Sequence, residues 1–338
     1  SPWSVSSFKV LMATRVHCPA APRICGMLLF AAYSAMALAQ SYPARAIRIV
    51  VPYPPGGAND TVARVLAPRA AVELGQQWVI DNRGGGNTII GTELVARAAP
   101  DGYTLLIVAA GHAVNPALYP KLPYDTARDF AQAVLLGDGA YVLVAHPSAS
   151  VSSVQALIAA AKAKPGQIVY ASSSIGNLTH LAAELFNALA GVKMLHVPYK
   201  GGGPAMLDVL AGRVAVFFST VAVARPHIQS GKIRGLGVTT GKRSAALPNT
   251  PTIAEAGVPG YDVSGWYGVV APARTPRAVI ERLNSALRVV LREPDIKEKL
   301  LAVGVEAADT GVEPFDKRVR AELIKWDKLV KPLNITPE

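Results

Sequence analysis

Five short stretches hold most of the residues in this chain that are placed to do chemistry. They are Pro-Tyr-Pro-Pro-Gly-Gly-Ala-Asn-Asp at 52–60, Asn-Arg-Gly-Gly-Gly-Asn-Thr at 82–88, Ala-Gly-His-Ala-Val-Asn-Pro at 110–116, Ser-Ser-Ser-Ile-Gly-Asn-Leu-Thr-His at 172–180 and Tyr-Lys-Gly-Gly-Gly-Pro at 199–204. Each follows a short apolar run and leads toward residues with helical spacing. Glycine lets the backbone come close to a ligand, and the first N–H groups of a helix have no intrahelical acceptor. Together they suit an anion held by backbone donors and helix dipoles rather than by lysine or arginine. In the first stretch Pro54 and Pro55 hold the chain extended, and Asn59 or Asp60 is expected to cap a helix starting near Thr61. The competing reading is a tight strand-to-helix turn with no ligand, which α/β proteins contain in plenty.

Nucleophilic and metal chemistry find less support. The sequence has no Gly-x-Ser-x-Gly elbow, His-Glu-x-x-His pair, Walker loop or dinucleotide glycine fingerprint. His180 follows Ser172 to Ser174, which raises a serine–histidine pair, but a histidine at a helix start more often packs or holds a ligand. His196, beside Val197-Pro198, reads as structural, and His112 as touching a ligand or, the favoured reading, capping a loop. The 6 histidines show no metal-ligand spacing, so neither metal nor cofactor is expected.

The elements that must position these stretches begin after a leader. Residues 26–39 form an apolar run preceded by Arg15 and Arg23 and closed by Ala37-Leu38-Ala39, the pattern of a secretory signal cleaved after Ala39. Residues 1–11 read as an upstream extension, with Met12 the more natural start. The run is too short for a spanning helix. Both cysteines, Cys18 and Cys25, fall in this leader, so disulfides and thiolate chemistry leave the mature chain with it. Removing Lys9, Arg15 and Arg23 from the 34 Lys and Arg leaves 31 against 23 acids, a net of +8. That balance suits anionic solutes, but the bases are scattered and form no nucleic-acid stripe.

Beyond the leader, extended runs at 46–51, 78–80, 103–109, 129–136, 140–145, 168–171, 194–199, 214–218, 233–239 and 266–271 alternate with helical patterns. The helices are expected at 61–74 (kinked by Pro68), from Ile90, at 153–161, 181–190, 205–211 with Pro204 at its start, 221–229, a short one at 253–256, then 278–291, 295–303 and 314–328. This alternation predicts an α/β fold with mainly parallel sheets, in which every strand-to-helix loop lies at a carboxyl edge where ligands bind. Passages near 137–141 and 237–241 divide the chain into lobe I, residues 40–139 and 241–338, and lobe II, residues 140–240.

Several marks together resemble one family. They are Val51-Pro52-Tyr53-Pro54-Pro55-Gly56-Gly57 with Asp60, Asn82-Arg83-Gly84 with Ile90-Gly91, Pro100-Asp101-Gly102-Tyr103-Thr104-Leu105, Asn115-Pro116 with Leu118-Tyr119, and Asp129-Phe130. Later come Thr179-His180-Leu181-Ala182 with Glu184-Leu185-Phe186, His196-Val197-Pro198-Tyr199-Lys200-Gly201, Pro251-Thr252 with Glu255-Ala256-Gly257, and Pro259-Gly260-Tyr261. Their order and spacing from Tyr42 to Lys331 are similar to those of the Bug family, periplasmic solute-binding receptors of tripartite tricarboxylate transporters. The resemblance implies a monomeric, two-lobed Venus-flytrap receptor of the type II periplasmic-binding class that clamps a small carboxylate and serves a membrane permease. It also implies one wall of Tyr53, Gly57, Ala58 and Asp60 with Gly111 and Asn115. The opposing wall would be Ser173, Asn177, Thr179, His180, Tyr199, Gly201, Gly202 and Gly203, with Ser219 nearby. Two features depart from the family: Ser219-Thr220 stands where relatives often have an acid and an amide, which argues against an amino-acid ligand, and Pro68 interrupts the first helix. A secreted hydrolase-like enzyme and a ligand sensor without a transport role are the alternatives.

Overall fold

The computed structural model describes residues 42–331 and Ile335. The leader, its cleavage site and both cysteines lie outside the described residues. The chain runs β1 (Ile47–Val51), α1 (Ala58–Leu74), β2 (Trp78–Asn82), α2 (Ile89–Ala96), β3 (Thr104–Ala109), α3 (Gly111–Leu118), β4 (Phe130–Gly139) and β5 (Tyr141–Ala145). It continues through α4 (Val154–Ala163), β6 (Val169–Ser172), α5 (Leu178–Ala190), β7 (Leu195–Pro198), α6 (Gly202–Leu210), β8 (Val216–Thr220), α7 (Val221–Gln229) and β9 (Arg234–Val238). It ends with β10 (Gly265–Pro272), α8 (Arg277–Arg292), α9 (Pro294–Ala302), β11 (Val305–Ala307) and α10 (Val312–Val330).

Two sheets result, in the orders β11-β4-β10-β3-β1-β2 and β7-β6-β8-β5-β9. Within them β1 pairs parallel with β2 and β3, and β6 with β7 and β8, as strand–helix–strand units require. The sheets are nevertheless mixed rather than mainly parallel. β10 lies antiparallel between β3 and β4, β11 antiparallel on β4, and β5 antiparallel between β8 and β9. Most of these strands adjoin the passages between sheets. Only Ala140 separates β4 from β5, and β10 returns to the first sheet from β9 of the second. A strand delivered from the other sheet has no crossover helix to set it parallel.

Alternation along the strands explains why both faces of each sheet are covered. Ile47, Ile49 and Val51 face a core shared with Val62 and Leu66 of α1 and Leu283 and Leu287 of α8, while Val50 faces another. In the second sheet Val142, Val144 and Phe217 face a core with Met206 and Val209 of α6, whereas Leu143 and Phe218 turn to the opposite face. That opposite core is continuous with the inner face of the first sheet, and runs through Phe186, Tyr261, Trp266 and Phe315. Each large apolar side chain removed from water contributes about 1.5–3 kcal/mol, so this shared core resists separation of the sheets.

Local expectations were revised at four places. α1 starts at Ala58 with Gly57 as its N-cap and no side-chain cap, and it is continuous through Pro68. The stretch expected as a loop at 110–116 is the helix α3, despite Pro116. Pro116 has no N–H to offer the carbonyl of His112, and that oxygen instead accepts the Thr126 hydroxyl at 3.4 Å. α6 begins at Gly202, two residues ahead of Pro204. Residues 253–256 make turns rather than a helix. No described helix is long and apolar enough to cross a membrane.

Candidate functional site

The first group of loops sits at the carboxyl edge of β1, β2 and β3. Gly56 has φ +80°, the left-handed region that favours glycine, whereas Gly57 is extended at φ −76°. Asp60, in the first turn of α1, is buried and does not face out. Its carboxylate accepts the Gly56 N–H at 2.8 Å, the Asn82 amide at 3.0 Å and the Arg64 guanidinium at 2.9 Å. Burial pushes its pKa up, but the bonds from Arg64, Gly56 and Asn82 outweigh it and hold the carboxyl below its ordinary value. Asp60 therefore shapes the loop from behind. The N–H groups of Ala58 and Asn59, at the start of α1, have no intrahelical acceptor.

Asn115 acts in the same way. Buried on α3, its amide donates to the Asn87 carbonyl at 2.9 Å and the Thr88 hydroxyl at 3.1 Å, and accepts from the Asn87 amide at 3.2 Å. It thereby holds Asn87 and Thr88 at φ 49° and 77°, positions a non-glycine residue rarely takes unaided. Gly111 opens α3, and a methyl added there would stand 3.6 Å from the Tyr53 hydroxyl. His112 neither caps a loop nor faces a ligand: it is buried edge-on to Phe130, both ring nitrogens lack partners, and burial pushes its pKa down to about 3.

The second group lies at the carboxyl edge of β6, β7 and β8. Asn177 caps α5 by accepting the Thr179 N–H at 3.0 Å, and the Thr179 hydroxyl accepts the Ser173 N–H at 2.8 Å. Ser173 also accepts the Gly201 N–H at 2.8 Å, which joins this loop to the start of α6. Gly201 has φ +115°; Gly202 and Gly203 form the first turn of α6, and a methyl on Gly202 would stand 3.5 Å from the Ser173 hydroxyl. His180 lies beneath the loop, where its Nδ1 accepts the Gly176 N–H at 3.0 Å and its ring stacks on His196 at 3.9 Å. Tyr170 stacks on His196 at 4.8 Å and lies 6.3 Å from His180. Burial, with His196 alongside, pushes His180 down to about 3, and burial pushes His196 down to about 4, so both are neutral. Two further residues are turned away. The Tyr199 hydroxyl donates to Asp208 at 2.6 Å, and the sealed Ser219 hydroxyl donates to the Thr220 carbonyl at 3.1 Å.

The serine–histidine pair exists, but between Ser172 and His196, 2.7 Å apart, rather than at His180. Ser172 is completely buried and its hydroxyl also bonds the Ser174 carbonyl at 3.0 Å, so no substrate can reach it. Among the described residues no group of three His, Cys, Asp or Glu side chains could hold a metal.

The second group packs on the far end of α3: a methyl at Gly176 would stand 2.6 Å from Leu118, the last residue of that helix. At the strand passage, Ala140 donates to the Gly304 carbonyl and accepts from Val221 N–H, each at 3.3 Å. Tyr141 and Tyr267 stand here, opposite Thr220 and Ala109 at the edges of β8 and β3. Nothing local in the sequence singles them out, since Tyr141 sits in a passage between strands and Tyr267 in an apolar run. A cavity of ≈ 660 Å³ lies apart, between α8 and the start of α10, and one of ≈ 260 Å³ lies at the strand passage itself, lined by Asp138, Gly139, Ala140, Lys242 and Arg318.

Comparison with known proteins places this architecture. The family model described as a tripartite tricarboxylate transporter family receptor matches residues 62–335. Protein BugT of Bordetella pertussis is 37% identical over 295 residues, covering 87% of this chain and 90% of BugT. The structure of Rpa4515 from R. palustris with adipate superposes with a TM-score of 0.83 at 37% identity, covering 88% of this chain and 100% of that one. MatC from Rhodopseudomonas palustris with bound malate gives 0.79 at 29% identity, with 86% and 100% covered. The chain belongs to the tripartite tricarboxylate transporter receptor family, the Bug-type periplasmic solute-binding receptors of two-lobed α/β fold.

Proposed function

We propose that this receptor closes its lobes on one small carboxylate. The observation that carries the reading is the packing of loop 172–180, at Gly176, on Leu118 at the end of α3, with the starts of α1 and α3 on one side and those of α5 and α6 on the other. Helix starts offer N–H groups and dipoles without a counter-charge to desolvate. One exposed start contributes only about 0.3–1 kcal/mol, so tight binding requires several enclosed together. The adipate and malate held by two family members support a carboxylate.

In this reading residues 40–139 and 241–338 form lobe I and residues 140–240 form lobe II. Tyr53, Gly57, Ala58 and Gly111 line one wall, and Ser173, Asn177 and Gly201 to Gly203 the other. Asp60, Asn115, Thr179 and His180 hold those walls from behind, and Tyr199 and Ser219 take no part in the contact. In this reading the role is binding without turnover, and the serine–histidine pair beneath these loops, Ser172 and His196, is sealed. A leader cleaved near Ala39 delivers a monomer to the periplasm, where it serves a membrane permease. Isothermal calorimetry against a panel of mono-, di- and tricarboxylates tests the reading. Saturable binding with the acid recovered unchanged is expected, and heat-silent titrations with every acid would end it.

A further inference from the structure

The tyrosine hydroxyls differ in what they bond. Those of Tyr42, Tyr170, Tyr199 and Tyr261 each donate to a carbonyl or carboxylate, whereas those of Tyr53, Tyr141 and Tyr267 have no protein partner among the described residues. A phenol ordinarily finds a partner. Tyr124 also lacks one, but its hydroxyl is sealed in the core, out of a ligand's reach; the other three gather at one place. Strand register sets Tyr267 beside Ala109, just before the start of α3 at Gly111, and the Tyr53 hydroxyl lies over that same glycine. Tyr141 stands beside Thr220, at the start of α7 in the other lobe.

The rings of Tyr267 and Tyr141 are seated by a pair of glycines facing each other across β4 and β10, Gly139 and Gly265. A methyl at Gly139 would stand 2.6 Å from Tyr267 Cε2, and one at Gly265 2.6 Å from Tyr141 Cε2. Burial first, and then the neighbouring phenols, raises the pKa of Tyr53 and Tyr141, and burial pushes Tyr267 up to about 12. All three are neutral donors at physiological pH, and Tyr267 is common to the other two as a neighbour.

We propose that Tyr53, Tyr141 and Tyr267 are the specificity-determining floor of the cleft. They donate neutral hydrogen bonds to the end of the ligand that the helix starts do not hold, and so favour a dicarboxylate over a monocarboxylate of equal length. This rests on the carboxylate reading above. Because Tyr141 comes from the strand entering lobe II and Tyr267 from the strand returning to lobe I, a ligand bonded to both ties the lobes together at their passage.

The test is calorimetry of the full protein and of its Tyr141→Phe and Tyr267→Phe variants against straight-chain acids of four and six carbons, with one carboxylate or two. Each substitution removes a hydroxyl without a protein partner, and unliganded melting temperature verifies the fold. The wild type is expected to prefer the diacid of each pair. Each variant should weaken the diacid about three- to tenfold, the range of one neutral hydrogen bond, and the monoacid less than twofold. Equal losses for both members, no loss for either, or a wild type that prefers the monoacid overturns the assignment of these tyrosines and leaves the carboxylate cleft standing. A wild type blind to all four acids and to the wider panel overturns both.

Discussion

Asp60 is a carboxylate next to a place suited to an anion, and its surroundings remove the conflict. Arg64 neutralises it, and Gly56 and Asn82 occupy its remaining lone pairs. Asp60→Ala leaves the Gly56 N–H and Asn82 amide without their acceptor, so it should lower stability by about 1–3 kcal/mol in urea denaturation as well as weaken ligand binding. A variant with wild-type stability and no binding would place Asp60 against the ligand instead. The two adjacent glycines make a second residue-level prediction. Gly56→Val forces a β-branched residue to φ +80°, while a methyl at Gly57 meets only Pro54 O at 3.6 Å. Calorimetry should therefore show Gly56→Val losing at least tenfold in affinity and Gly57→Ala staying within about threefold, since αL strain in a β-branched residue costs about 1–3 kcal/mol. The reverse order would make Gly57 the closer contact.

At the scale of elements, α5 and β7 carry a stack of rings that responds to acid. His180 and His196 lie in the folded state at about 3 and about 4, below the ordinary 6.5, and His112 on α3 lies at about 3. Between those values the unfolded chain binds protons that the folded chain refuses, so stability rises with pH and is lost as pH falls from about 6.5 toward 3. Protonation of His180 also removes the acceptor for Gly176 N–H, so loop 172–180 should loosen with the fold. Melting temperature is expected to drop steadily between pH 7 and pH 4. His112→Leu should flatten that slope, because its two unpartnered nitrogens then disappear from the core. An unchanged slope in this variant would show that exposed carboxylates set the acid response.

At the scale of the whole molecule, the proposed closure would bring lobe against lobe where Gly176 packs on Leu118. A methyl at Gly176 would reach within 2.6 Å of Leu118 Cδ1, so Gly176→Ala should wedge the loops apart and weaken binding. Gly176 also has φ +71°, which strains any substituent, and the second mutation separates the causes. Leu118→Ala opens the space, so the double variant should recover affinity if steric closure is what matters. No recovery by calorimetry would assign the loss to local strain.

Chemistry among neighbours in the chain was open to the sequence. Prolines, glycines and apolar periodicity are local properties, and they marked the strand-to-helix stretches at 52–60, 82–88, 172–180 and 199–204, the alternation of strand and helix, and the family marks. They misjudged 110–116, where a helix continues through Pro116 because Thr126, ten residues further on, bonds the carbonyl that proline cannot serve. Only the tertiary structure decided which way the polar side chains face. Asp60 and Asn115 turn inward to brace loops, Ser172 pairs with His196 rather than His180, and Tyr141 and Tyr267 come to stand opposite Thr220 and Ala109. Those outcomes depend on the register of β10 against β3 and of β5 against β8, strands far apart in sequence. A shift of one residue in either would turn the same tyrosines to the opposite face.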